Sequence, residues 1–157
     1  PSSAASDVYK RQDLDVRGIS HRGFFASITD FQSYYDANMD LIDYKTATDL
    51  FHDNWPIYTR TNNSCPTHYF DTANVSNSVI SNGSMIEGTV ENSIVGRGCT
   101  IKKGAVIKNC VVLADCTIGE NVHIENLVVD KHAKITHAKE IIRPADEPGY
   151  IKRNDTL

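Results

Sequence analysis

SNSVISNGSMIEGTVENSIVGRGCTIKKGAVIKNCVVLADCTIGENVHIENLVVDKHAKI, residues 76–135, decides the fold. Asn77, Asn92, Asn109 and Asn126 each stand two residues before a β-branched pair and nine residues before an isoleucine. The pairs are Val79-Ile80, Ile94-Val95, Val111-Val112 and Val128-Val129; the isoleucines are Ile86, Ile101, Ile118 and Ile135. The asparagines are fifteen, seventeen and seventeen residues apart. A repeat this short cannot bury its own apolar face and has to lean on its neighbours, which is the mark of a solenoid.

Within each unit the large aliphatics recur every six residues, as in Ile80 to Ile86, Val95 to Ile101, Ile101 to Ile107 and Ile118 to Ile124. This is the hexapeptide spacing of a parallel β-helix. Strand alternation turns the residue two places earlier inward as well, and those residues are small: Ser78, Ser84, Ser93, Cys99, Ala105, Cys110, Cys116 and Ala133. The third side ends in Val90, Ile107 and Ile124, and two residues are missing before Val90. The register predicts a narrow, mainly β prism of about four coils.

Asparagine suits the corners because it tolerates a left-handed backbone and its amide can bond its equivalent one coil away. Gly83, Gly98, Asp115 and His132 mark another corner, six residues past each asparagine. Glu91, Lys108 and Glu125 precede the later asparagines, so opposite charges are expected to stack. Pro144 and Pro148 bound an expected turn that lets the last residues fold back over the final coil and cover an open edge.

The chain has 157 residues, 40% of them apolar, with a formal charge of −4. That balance fits one globular domain or a small domain with an appendage, and implies no basic nucleic-acid surface. No run of eighteen apolar residues and no signal-peptide pattern occurs, so the expectation is a cytoplasmic protein without membrane insertion. The four cysteines, Cys65, Cys99, Cys110 and Cys116, lack paired metal spacing. Three of them fall on small inward positions, where they serve as structural thiols; Cys99 and Cys116 should lie one above the other.

Residues 1–12 carry no apolar periodicity and read as a disordered or non-native leader. Residues 13–64 read as a helical segment and linker, and 65–157 as the β-helix. Thr29 or Asp30 is positioned to cap a helix containing Phe31, Tyr34, Tyr35, Met39 and Ile42, and a second helix is expected over 44–51, ahead of Trp55-Pro56. Phe24, Phe25, Phe31, Tyr34, Tyr35, Tyr44, Phe51, Trp55 and Tyr58 crowd this segment, as on a surface that another body covers.

The run SYYDANMDLI at 33–42, WPIYTR at 55–60, Cys65-Pro66 and the repeats themselves resemble the C-terminal part of ADP-glucose pyrophosphorylase, or glucose-1-phosphate adenylyltransferase, and within it the GlgD-type regulatory subunit. The resemblance covers residues 18–157. It implies a left-handed β-helix preceded by the last helices of a nucleotidyltransferase domain, whose glycine-rich nucleotide loop has no counterpart here. It also implies that Ser27 stands where catalytic subunits carry a metal-holding aspartate. A hydroxyl cannot replace a carboxylate in charge-balancing Mg²⁺. The expected role is that of a non-catalytic subunit in glycogen biosynthesis, with its own N-terminal domain and a catalytic adenylyltransferase subunit as partners in a hetero- or homo-oligomer. No catalytic, cofactor-binding or metal-ligating residue is expected in this chain; Mg²⁺ belongs to the full family enzyme. Because anionic effectors regulate the family, Arg97, Lys102, Lys103 and Lys108 are candidate anion contacts.

The alternative is a hexapeptide-repeat acyltransferase, in which an interfacial histidine acts as base. Here His123, His132 and His137 are the candidates, also as zinc ligands. Alternation turns His123 outward, and spacings of nine and five put the three on different faces.

Overall fold

The computed structural model describes residues 18–51, 56–59, 61 and 63–157. The leader expected over 1–12, together with Trp55 and Arg60, lies outside them. Among the described residues the chain winds through fifteen short strands. The first turn holds β1 (His68–Tyr69), β2 (Asn74–Ser76) and β3 (Val79–Ile80), and the second β4 (Met85–Ile86), β5 (Thr89–Glu91) and β6 (Ile94–Val95). The third holds β7 (Thr100–Ile101), β8 (Val106–Lys108) and β9 (Val111–Val112); the fourth β10 (Thr117–Ile118), β11 (His123–Glu125) and β12 (Leu127–Val129). β13 (Lys134–Ile135), β14 (Glu140–Ile142) and β15 (Gly149–Ile151) close the last.

Each strand pairs in parallel with its equivalents one turn before and after, giving three five-stranded sheets ordered β1-β4-β7-β10-β13, β2-β5-β8-β11-β14 and β3-β6-β9-β12-β15. The architecture is mainly β, a left-handed parallel β-helix with four turns between β1 and β13. Inside, Ile86, Ile101, Ile118 and Ile135 stack in register on the first face, and Val90, Ile107 and Ile124 on the second, all fully buried. The small column is there too: Ser84, Ser93, Cys99, Ala105, Cys110, Cys116 and Ala133 are buried, and Ser78, near the open end, is half-buried.

The corners have the expected backbone. Asn77, Asn92, Asn109 and Asn126 have φ of 41°, 46°, 47° and 55°, and the second corner is left-handed at Gly83, Gly98, Asp115 and His132. Asn77 Nδ2 donates to Asn92 Oδ1 at 2.8 Å and Asn92 Nδ2 to Asn109 Oδ1 at 2.7 Å. Asn126 Nδ2 turns instead to the carbonyl of Arg143, leaving its buried Oδ1 without a partner. Where two residues are missing before Val90, Gly88 makes the shortened corner. A Cβ there would lie 2.5 Å from the Ala105 carbonyl oxygen.

After β14 the residues from Arg143 to Pro148 form the insertion that the two prolines announce, and Gly149 returns the chain to the third sheet. Asp155 and Leu157 then bond along β13, with Lys134 and Thr136 donating to them, so the tail covers the last edge. Ahead of the coil, α1 (Phe31–Asp40) starts at the N-cap Asp30, and α2 (Tyr44–Leu50) at Asp43. No helix of the described residues is long and apolar enough to cross a membrane.

Candidate functional site

In the β-branched pairs that set the register, the second residue of each points into the prism and the first points out. On most soluble strands that outward residue is polar. Here Val79, Ile94, Val111 and Val128 form an apolar column on the third face, continued by Tyr150. Val111 and Val128 are buried because α1 lies on them: Tyr35 packs against both, with Tyr34 and Met39 alongside.

The fit has a geometric cause. One helical turn advances about 5.4 Å, and neighbouring strands of the prism are ~4.8 Å apart. Residues three or four apart on α1 therefore fall near one rung each. Phe31 meets Tyr150 on the last turn, edge to face with centroids 5.8 Å apart. Tyr35 covers Val128 and Val111 in the middle and donates its hydroxyl to the Asn109 carbonyl at 2.7 Å. Met39 and Ile42 border an open cleft with Asn92 and Asn77 on the first two turns. Burial pushes the Tyr35 hydroxyl up to about 12, with Cys110, Asp36 and Glu125 adding to the effect.

Outside this contact the helical segment is bare: Phe25, Tyr44, Phe51 and Tyr58 are all exposed. Ser27 is exposed, and Asp30 is fixed by its capping box, accepting from Ser33 N at 2.7 Å while Ser33 Oγ receives the Asp30 N–H. Those hydrogen bonds, backbone first, hold the Asp30 carboxyl below its ordinary range. A neutral hydroxyl and a carboxylate committed to a helix cap do not fit a magnesium site.

The four cations singled out by sequence do not converge. Lys108 pairs with Glu91 at 3.2 Å beside the asparagine corner, as the stacked-charge pattern anticipates, and Lys102 stands 4.0 Å from Glu87. Lys103 borders a depression at the third corner with Thr72 and Glu120. Arg97 alone joins other cations. It lines an open groove of about 520 Å³ with Lys131 and Arg153, beside Thr61, Asp115 and His132. The register explains that grouping. Arg97 and Lys131 are each five residues past a corner asparagine, so both precede the left-handed residue of the second corner, and Arg153 precedes left-handed Asn154 in the same way. Lys131 was legible by that count; the insertion after β14 hid Arg153.

Asp130 flanks the groove. Its Oδ2 accepts from the Tyr150 hydroxyl at 2.7 Å and its Oδ1 from Lys131 N, and these bonds with the nearby Arg153 charge lower its carboxyl pKa. The histidines stay apart: His123 lies on β11 between Glu125 and Glu140, at 3.8 and 3.6 Å, His132 lies 3.7 Å from Asp115, and His137 is exposed. Among the described residues no group of three or more histidine, cysteine or acidic side chains could hold a metal ion.

The winding, the buried aliphatic columns and the asparagine corners define a hexapeptide-repeat β-helix protein. Residues 66–147 match the family described as GlmU-like, C-terminal hexapeptide, and the chain belongs to it. It is 36% identical over 140 residues to the glycogen biosynthesis protein GlgD of Bacillus subtilis, covering 89% of this chain and 41% of that protein. It is 40% identical over 86 residues to the glucose-1-phosphate adenylyltransferase of Geobacillus stearothermophilus, covering 55% of this chain and 22% of that one. The like-named protein of Bacillus mycoides is 34% identical over 122 residues, or 78% of this chain and 32% of that protein. The chain thus spans less than half the length of these curated relatives.

Proposed function

We propose that this chain is the assembly and regulatory part of a non-catalytic, GlgD-type subunit of glucose-1-phosphate adenylyltransferase, acting in the cytoplasm in glycogen biosynthesis. In this reading the β-helix carries α1 as the seat of an N-terminal nucleotidyltransferase domain and associates with a catalytic subunit in an oligomer. The observation that carries the non-catalytic part is the pair Ser27 and Asp30. The first is neutral where the family resemblance implies a metal-holding aspartate, and the second is held by Ser33.

The groove of Arg97, Lys131 and Arg153 supports the regulatory part. Three cations on one corner, with Asp115 and Asp130 as the nearby carboxylates, make a local positive field in a chain whose net charge is negative. An anionic effector bound there would act on a partner only through contacts that differ between the partner's states. The test is mixing. Produced with its upstream domain, the protein should turn over little ATP and glucose 1-phosphate alone and should change the kinetics or effector response of a catalytic subunit. Substantial turnover by the protein alone overturns the assignment.

A further inference from the structure

The structure assigns Asn82 as a site of spontaneous deamidation and isoaspartate formation, built into the second corner of the β-helix. Asn82-Gly83 is the one Asn-Gly pair in the sequence. The reaction needs the backbone nitrogen that follows the asparagine to reach the side-chain amide carbon. Glycine places no side chain of its own beside that nitrogen, and the Gly83 N–H makes no hydrogen bond among the described residues, although Ser64 packs against the glycine, its Cβ 2.8 Å from where a Gly83 Cβ would stand. Asn82 is exposed, with its side chain outside the amide ladder, and Gly83 has φ of +81°. The Asn82 carbonyl accepts from Gly98 N at 3.3 Å, which anchors the corner to the next turn through the backbone and does not engage the side chain.

The other corner asparagines are protected by the same fold. Asn77, Asn92 and Asn109 share ladder bonds, Asn126 donates to Arg143, and the residues that follow them carry side chains: Ser78, Ser93, Cys110 and Leu127. Asn121 is followed by β-branched Val122, and left-handed Asn154 by Asp155, so a side chain stands beside the attacking nitrogen at both.

In the step itself the Gly83 nitrogen bonds to Asn82 Cγ and loses its proton. The side-chain nitrogen leaves as ammonia, and a cyclic imide remains. Water opens the imide at either carbonyl, giving an aspartyl or isoaspartyl linkage, with no oxidation or reduction. The product places a carboxylate one turn from Arg97, at the equivalent corner position, and the isoaspartyl form lengthens the backbone at a corner whose next residue, Ser84, is buried.

The experiment is a time course on the full chain at mildly alkaline pH, read by peptide mass spectrometry and by methyl transfer from a protein isoaspartyl methyltransferase. A synthetic peptide spanning 79–86 runs in parallel. Conversion should appear at Asn82 before any other asparagine, at a rate close to the free peptide's, and Asn82→Gln should remove the methyl-accepting signal. Strong suppression in the folded chain relative to the peptide overturns the inference, as does earlier conversion elsewhere. The wild-type comparison decides the matter even if Asn82→Gln fails to fold.

Discussion

The Tyr35 hydroxyl reaches the backbone carbonyl of Asn109, 74 residues away, at 2.7 Å, and so ties α1 to a corner of the third turn. Tyr35 is 6% exposed and packs on Val111 and Val128. Tyr35→Phe removes the hydrogen bond and should cost about 0.5–1.5 kcal/mol. Tyr35→Ala removes the ring too and should cost roughly 3 kcal/mol or more. Because the prism core does not include this side chain, the loss should fall on α1. Hydrogen exchange is expected to rise across Phe31–Asp40 while the protection of β7 to β12 holds. Equal loss in both regions would mean that the helix and the coil are one cooperative unit.

Asn92 lies in the middle of the amide ladder, accepting from Asn77 and donating to Asn109, with φ of 46°. Asn92→Gly keeps the backbone and loses both bonds; Asn92→Ala loses the bonds and strains the corner. The expected order of stability is wild type, glycine, alanine, with the last about 1–3 kcal/mol below the first by denaturant titration. Alanine at or above glycine would show that the backbone conformation contributes nothing.

How far the fold was legible follows from such positions. A fifteen- or seventeen-residue repeat with one large and one small inward residue per side leaves few alternatives, so the columns at Ile101 and Cys116 could be read directly. The helices were legible from Asp30 and the spacing of Phe31, Tyr35 and Met39. The outward half of each β-branched pair was not: periodicity says that Val111 alternates with Val112 but not that α1 covers it. The basic groove was half legible. Arg97 was named, but charge spacing alone grouped it with Lys102 and Lys108, which point from other corners, whereas the coil stacks it with Lys131. Distance along the chain misleads in a solenoid, where proximity follows the period.

The groove gives a charge-specific prediction. Lys131→Glu reverses a cation between Arg97 and Arg153 on the same corner. Binding of inorganic phosphate, followed by calorimetry at low ionic strength, should weaken markedly, whereas Lys108→Glu, on another corner and already paired with Glu91, should leave it nearly unchanged. Equal effects would return the four cations of the sequence reading to a single diffuse field.

Ile101 is fully buried in the first-face column between Ile86 and Ile118. Ile101→Asp puts an unpaired charge in the prism, a change in the exceptional class above ~4–5 kcal/mol. The cooperative melting transition of the coil should vanish. A variant that melts as the wild type does would place residue 101 outside the core and break the register.

The buried Cys110 thiol should make stability fall at alkaline pH. Burial pushes the Cys110 thiol from 9.0 up to about 12, whereas the contact between the Cys99 and Cys116 sulfurs moves that pair in opposite directions, Cys99 up and Cys116 down. The sign follows from proton counting. Below pH 9 both folded and unfolded chains hold the Cys110 proton, so its contribution is intact; between about 9 and 12 only the folded chain holds it, and stability declines. The slope is about 1.4 kcal/mol per pH unit for one group. Cys110→Ala should therefore flatten the alkaline limb of a stability profile by up to that slope without shifting the neutral region's pH dependence. In the same native protein a thiol reagent at neutral pH should label Cys65, which is exposed, and spare Cys99, Cys110 and Cys116 until unfolding. An unchanged limb in Cys110→Ala would mean that the alkaline loss begins elsewhere, with the Tyr35 hydroxyl at the α1 contact as the next group to test.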